Sequence, residues 1–183
     1  MPNSEELDQN QDNEMMYYVE EQYIINTEKF VLLCFITMGL YGIWWIYKSW
    51  RFFKQKEMTD IMPAARSLLS ILYLNFLFMK IYDYSKEKGY NPRFNSYALY
   101  IGFFIVNVLS YLPDPYWMVS NLAFLFLIPP FKALNYAKEN TEGLLITEQP
   151  TFNGRQIALI LVGTLLWGLI ILAMVFGEEE LQY

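Results

Sequence analysis

QIALILVGTLLWGLIILAMVF, residues 156–176, runs for 21 residues without a charge. As a helix it covers about 32 Å, which matches the roughly 30 Å hydrocarbon core of a bilayer. The stretch reads as a transmembrane helix. Residues 132–155 before it are polar, with Asn135, Lys138, Glu139, Asn140 and Gly154. Two more apolar blocks, residues 97–112 and 116–131, come earlier and are separated only by Pro113, Asp114 and Pro115. Each is about 24 Å long if helical, and the Pro-Asp-Pro insert predicts a tight membrane hairpin. Pro129 and Pro130 are expected to close the second leg.

Nearer the N-terminus, residues 30–47 (FVLLCFITMGLYGIWWIY) form an 18-residue apolar block. At about 27 Å it is expected to span, with Gly39 and Gly42 bracketing a point where the helix can bend. Residues 68–79 are interrupted by Ser70 and Asn75 and flanked by Arg66 and Lys80. That block is too short to cross and reads as an interfacial or re-entrant helix, with Pro63 near its start. Residues 1–22 are acidic, with no Lys or Arg, and read as a disordered tail with no secretory signal. A short ordered stretch is expected around residues 23–26. The membrane domain is therefore 23–177, followed by an acidic tail at 178–183.

Composition agrees with this division. Of the 183 residues 55% are apolar and 17% charged, against about 25% charged in soluble domains. Mean hydropathy is +0.17 despite the acidic start. Only Lys and Arg set orientation strongly. Residues 1–29 carry Lys29 alone, loop 48–66 carries Lys48, Arg51, Lys54, Lys56 and Arg66, and loop 80–96 carries Lys80, Lys86, Lys88 and Arg93. The two basic loops share a side only if block 68–79 does not cross. The expected fold is thus an all-α integral membrane protein with four transmembrane helices, one interfacial or re-entrant helix and both acidic tails outside. Five spans are the alternative.

The chain has no histidine, which removes the commonest general base and transition-metal ligand. Its single cysteine, Cys34, reads as a small buried hydrophobe and has no intrachain partner. There is no nucleophile elbow, phosphate-binding loop or metal signature. No enzyme activity and no cofactor are expected. The polar groups inside the blocks, Asn107, Ser110, Asn121 and Thr164, are of the kind that hydrogen-bond between helices. Thr164 and Gly168, with Gly163 beside them, have the small-x-x-x-small spacing of close helix packing.

The most specific feature is the run that follows Gly42. Trp44, Trp45, Tyr47 and Trp50 are interleaved with Lys48, Arg51 and Lys54. It reads either as an aromatic belt that anchors a helix at the headgroup level, or as a site where the cations meet anionic lipid phosphates beneath the rings.

The run also carries a resemblance. Thr37, Gly39, Leu40, Tyr41, Trp44, Trp45, Tyr47 and Lys48 fit T-x-G-[IL]-Y-x-x-[YW]-W-x-Y-K, a signature of uncharacterised bacterial multi-pass membrane proteins. IPPFKALNYAKEN and FNGRQIALILVGTLLWGLIIL are similar to later segments of that group. The resemblance implies a bacterial cytoplasmic membrane and a multi-helical fold, and it carries no activity. The expected role is non-enzymatic, exercised through membrane lipids, anionic ones included, or through another membrane protein or a second copy of the chain. No nucleic acid is expected as a partner. The rival is a small transporter or channel component lined by Asn107, Ser110 and Asn121.

Overall fold

The computed structural model describes residues 19–113 and 116–177. The predicted tail up to residue 18, Asp114 and Pro115 of the hairpin insert, and the tail 178–183 lie outside these residues.

Helix α1 (Thr27–Ile36) starts where the Asn26 side chain accepts the Lys29 N–H at 2.9 Å. It ends in a Schellman turn. The Gly39 N–H donates to Cys34 O at 2.8 Å and the Met38 N–H to Phe35 O at 3.2 Å. Met38 and Gly39 have φ of 51° and 84°, two left-handed residues in succession. A right-handed helix cannot continue through them, and Gly at the second position avoids a Cβ clash. Helix α2 (Leu40–Lys56) then doubles back, so that the Trp45 ring lies 5.8 Å from Phe30. On one continuous helix those residues would be about 22 Å apart. Block 30–47 is therefore a helical hairpin rather than the single span expected. Gly42 is no second bend: it sits inside α2, where a Cβ would meet Leu127 at 2.9 Å.

Helix α3 (Pro63–Leu68) has proline in its first turn, as expected. Helix α4 (Ser70–Glu87) extends well past block 68–79. It can do so because it is two-faced, with Leu74, Leu77, Phe78 and Ile81 buried and Asp83 and Glu87 exposed. Helix α5 (Ser96–Val108) and a 3₁₀ turn (Leu109–Tyr111) pack along a 3₁₀ helix, Tyr116–Leu127. Their approach is close at Gly102, where a Cβ would stand 2.2 Å from the Phe126 ring. The 3₁₀ helix leads directly into α6 (Ile128–Glu139). Pro129 and Pro130 thus open a helix instead of closing one, because first-turn positions need no N–H donor.

Helix α7 (Gly154–Gly177) completes the set. Two strands, β1 (Gln22–Ile24) and β2 (Ile146–Glu148), pair in parallel with Gln22 opposite Ile146, a departure from the all-α expectation. The described chain is otherwise mostly helical.

Among the described residues two helices are long and apolar enough to cross a membrane, Tyr116–Glu139 and Gly154–Met174, while Ser96–Tyr111 is apolar but shorter. The expected four spans are not found, because the first block folds back on itself and residues 97–112 form only a short leg. Only 6% of the most apolar window of Gly154–Met174 is buried. The covered side of α7 is a narrow seam of Gln156, Ile160, Gly163, Trp167, Ile170 and Met174, at alternating spacings of four and three. This seam rests on the tip of the α1–α2 hairpin, where Trp167 stacks on Phe35 at 5.3 Å.

The molecule has two unlike ends. Lys29 donates to Gln149 O, Lys138 to Gln22 Oε1 and Lys80 to Glu57, while Lys56 lies over the Tyr84 ring. These contacts, with the Lys48–Glu20 ion pair, join residues 20–29, 48–57, 80–84 and 138–150 into one polar end. Every one of the 13 Lys and Arg residues falls in residue 29 or segments 48–66, 80–93 and 132–155. The far half of α7 and the hairpin tip lie away from it. The acidic segment does not end at Gln22 as a free tail. Val19 is buried, Glu20 is ion-paired with Lys48 and Arg51, and Gln22 begins β1. The N-terminal segment and the first basic loop were expected on opposite faces, but they are in contact.

Candidate functional site

Helix α2 has seven aromatic residues from Tyr41 to Phe53, and its two faces treat them differently. Tyr41, Trp45, Trp50, Phe52 and Phe53 point inward, with Trp50 fully buried and Trp45 9% exposed. Trp45 lies 6.0 Å from the Phe131 ring, and the Arg66 guanidinium covers Trp50 at 4.6 Å. Trp44 is 48% exposed and lies 5.3 Å from the half-buried Tyr47. Of the four rings read as a headgroup-level group, two are therefore core and two face outward.

The three cations also separate. Lys48 and Arg51 converge on the Glu20 carboxylate at 2.9 and 2.6 Å. Lys54 turns away toward Asp60 at 3.9 Å and borders a shallow groove of about 760 Å³ with Tyr47, Arg51 and Pro63.

A larger cavity of about 1390 Å³ opens between α2, α6, β2 and the start of α7. Its inner end is polar, formed by Lys48, Lys138, Asn135 and Gln156, with Arg155 and Glu148 also lining it. Its outer wall is apolar, formed by Trp44 of α2 and by Ala158, Leu159 and Val162 of α7. Lys138 is the unusual member. Its side chain is buried at 7% exposure, its Nζ donates to Gln22 Oε1 at 2.9 Å, and the ammonium stands 4.6 Å over the Phe52 ring. No described carboxylate lies within ion-pair distance of it.

Local structure fixes these groups. Asn153 and Gln156 form a reciprocal cap at the start of α7: the Gln156 N–H donates to Asn153 Oδ1 and the Asn153 N–H to Gln156 Oε1, at 2.9 and 3.0 Å. Gln156 Nε2 then donates to the Tyr41 hydroxyl at 3.1 Å. Asn135 Nδ2 donates to Ile25 O. Below the cavity Thr141 donates to Ala137 O, so the 2.5 Å bond between Thr141 and Tyr84 is donated by the phenol. Burial pushes the Tyr84 phenol up to about 12. At the sheet edge, bonds from the Thr147 and Tyr23 hydroxyls hold the Glu21 carboxyl below its usual range.

The three helix-packing residues divide as well. A Cβ on Gly163 would stand 2.4 Å from Ile36 O, so this glycine lets α7 touch the hairpin within one chain. Thr164 is exposed, and Gly168 has nothing within 4 Å. The amides of Asn107 and Asn121 donate to backbone carbonyls, those of Phe103 and Phe35, while Ser110 is exposed. Among the described residues no group of three or more His, Cys, Asp or Glu is placed to hold a metal ion.

Lys138, Asn135 and Gln156 were not singled out in the sequence. The N-x-x-Q spacing of Asn153 and Gln156 is a readable capping signal. Nothing in the sequence marks Lys138 as buried.

No curated protein and no solved structure matches the chain. Residues 26–87, which hold the α1–α2 hairpin, α3 and α4, match a family described as a domain of unknown function (DUF4234).

Proposed function

We propose that the chain is a non-enzymatic integral protein of the bacterial cytoplasmic membrane, acting through lipids or through contacts with other membrane proteins. The observation that carries this is the bare surface of α7. Its exposed Leu, Ile, Val and Phe side chains, ten in number from Ile157 to Phe176, would each forgo on the order of 1 kcal/mol in water at about half exposure. That sum rivals the net stability of a whole domain, about 5–15 kcal/mol. Lipid removes the penalty.

In this reading the polar end, with its Lys and Arg residues, faces the cytoplasm, as positive charge does. The leg Ser96–Tyr111 leaves it, Tyr116–Glu139 returns, and α7 leaves again. The α1–α2 hairpin enters from the cytoplasmic side and turns back. Nine residues separate Gly154 from Gly163, so its tip lies about 14 Å below the start of α7, near mid-bilayer. Helix α4 lies along the interface, with Leu72, Phe76 and Met79 exposed toward the acyl chains. Three passes and a re-entrant hairpin thus replace the four spans expected. Alkaline carbonate extraction of membranes tests the core of the proposal. The protein is expected in the pellet, and its release into the supernatant would overturn it.

A further inference from the structure

The cavity between α2, α6 and α7 has a shape and charge that the proposed membrane setting makes meaningful. Its polar end holds Lys138 and Lys48, with Arg155 at the margin. Lys48 already has Glu20 as an ion-pair partner, whereas the same carboxylate acts on Lys138 only from beyond ion-pair distance and the direct contacts of Lys138 are an amide oxygen and a ring face. An ammonium withdrawn from water needs an anion nearby to offset its lost hydration, and neither contact supplies a full negative charge. Glu148 is the acidic residue among the cavity walls, and it is exposed. The opposite wall, Trp44 with Leu159 and Val162, is apolar and continues into the bare face of α7. A cavity of about 1390 Å³ exceeds the 300–1,000 Å³ usual for a drug-sized molecule.

We propose that this cavity is a binding site for one membrane phospholipid with an anionic headgroup. The head phosphate lies between Lys138 and Lys48, with the Asn135 amide beside it, and an acyl chain leaves between Trp44 and Leu159. The site is distinct from a headgroup belt on the whole of α2, since Trp45 and Trp50 are packed in the core and Lys54 faces another groove. Glu20 is a resident anion at the same pole and competes with the lipid for Lys48. The inference rests on the membrane reading above, but each can fail separately.

The test uses the full chain purified in detergent, with native mass spectrometry after addition of equal phosphatidylglycerol and phosphatidylcholine of matched chains. The wild type should retain phosphatidylglycerol preferentially. Lys138→Gln should reduce that preference about fivefold, the effect of one nearby cation, and Lys138→Arg should restore most of it. Leu159→Trp, which narrows the mouth without touching a charge, should reduce retention of both lipids. Lys54→Gln should leave the preference unchanged. Equal retention of the two lipids by the wild type would overturn the proposal. So would a loss of preference with Lys54→Gln but not with Lys138→Gln. Displacement of the bound lipid by millimolar inorganic phosphate would mark a free-anion site and overturn the lipid assignment. Carbonate extraction of the membranes from which the protein is purified separates the two readings: a protein that stays in the pellet yet shows no lipid preference after purification refutes the site alone.

Discussion

Glu20 holds two cations at once, Lys48 at 2.9 Å and Arg51 at 2.6 Å, and does so while about a third exposed. Ion pairs this open contribute little to stability, about 0–1 kcal/mol each. Their larger effect is on what the cations can bind. Glu20→Gln is expected to lower thermal stability slightly and to raise phosphatidylglycerol retention up to about fivefold, since Lys48 is released next to the cavity. Unchanged retention would separate Glu20 from the site. The two glycines of α7 give a sharper contrast. Gly163→Val places a side chain against the Ile36 carbonyl and is expected to cost about 1–3 kcal/mol by forcing α7 off the hairpin. Gly168→Ala meets open space and should stabilise the helix by up to about 1 kcal/mol. Thermal unfolding in detergent reads both. The sequence shows these glycines as equivalent members of one packing motif, because spacing along a helix does not say which side meets a neighbour. Trp45 and Trp50 escaped in the same way. A ring destined for the core and a ring destined for the headgroup level are the same residue type at the same spacing.

Among the elements, α7 is the one most legible from sequence, since length and lack of charge alone define it. The α1–α2 hairpin was half legible. Gly39 announces an interruption, but a glycine in an apolar run is compatible with a gentle bend. The reversal also depends on Met38 taking a left-handed conformation, for which methionine has no preference. Gly39→Val is therefore expected to disrupt the hairpin, destabilising the protein by at least about 1 kcal/mol, because a β-branched side chain at φ 84° is strained. Gly154→Ala serves as the comparison, since that glycine has no neighbour within 4 Å. Equal melting temperatures for the two variants would argue against the tight reversal. The segment Tyr116–Glu139 was misread at Pro129 and Pro130 because a proline pair marks the start of a helix as readily as its end.

At the scale of the whole molecule the question is which side each segment faces. Single cysteines at Asn26, Lys54 and Lys88 should all react with a membrane-impermeant maleimide from the cytoplasmic side. One at Tyr111 should react from the opposite side. Labelling of positions 26 and 54 from different sides would restore a spanning first block and reject the hairpin. Charge counting placed loops 48–66 and 80–96 together, and the Lys80–Glu57 pair at 2.5 Å does bring their ends into contact. It placed residues 1–29 apart from them because that segment carries Lys29 alone and block 30–47 was expected to span. Residues 20–24 are held at the basic end by Lys48, Arg51, Lys138 and β2. A partner over a hundred residues away in the sequence cannot be read from a local pattern.

That long-range pairing also sets a schedule. Gln22 cannot meet Ile146 until the ribosome has made everything between them, a wait of about 6 to 25 s at 5–20 residues per second. Helices α1 to α6 are made during that interval with β1 unpaired. The parallel clasp therefore belongs among the last contacts to form, and a nascent chain stalled before residue 140 should expose residues 19–24 to protease that the finished protein excludes.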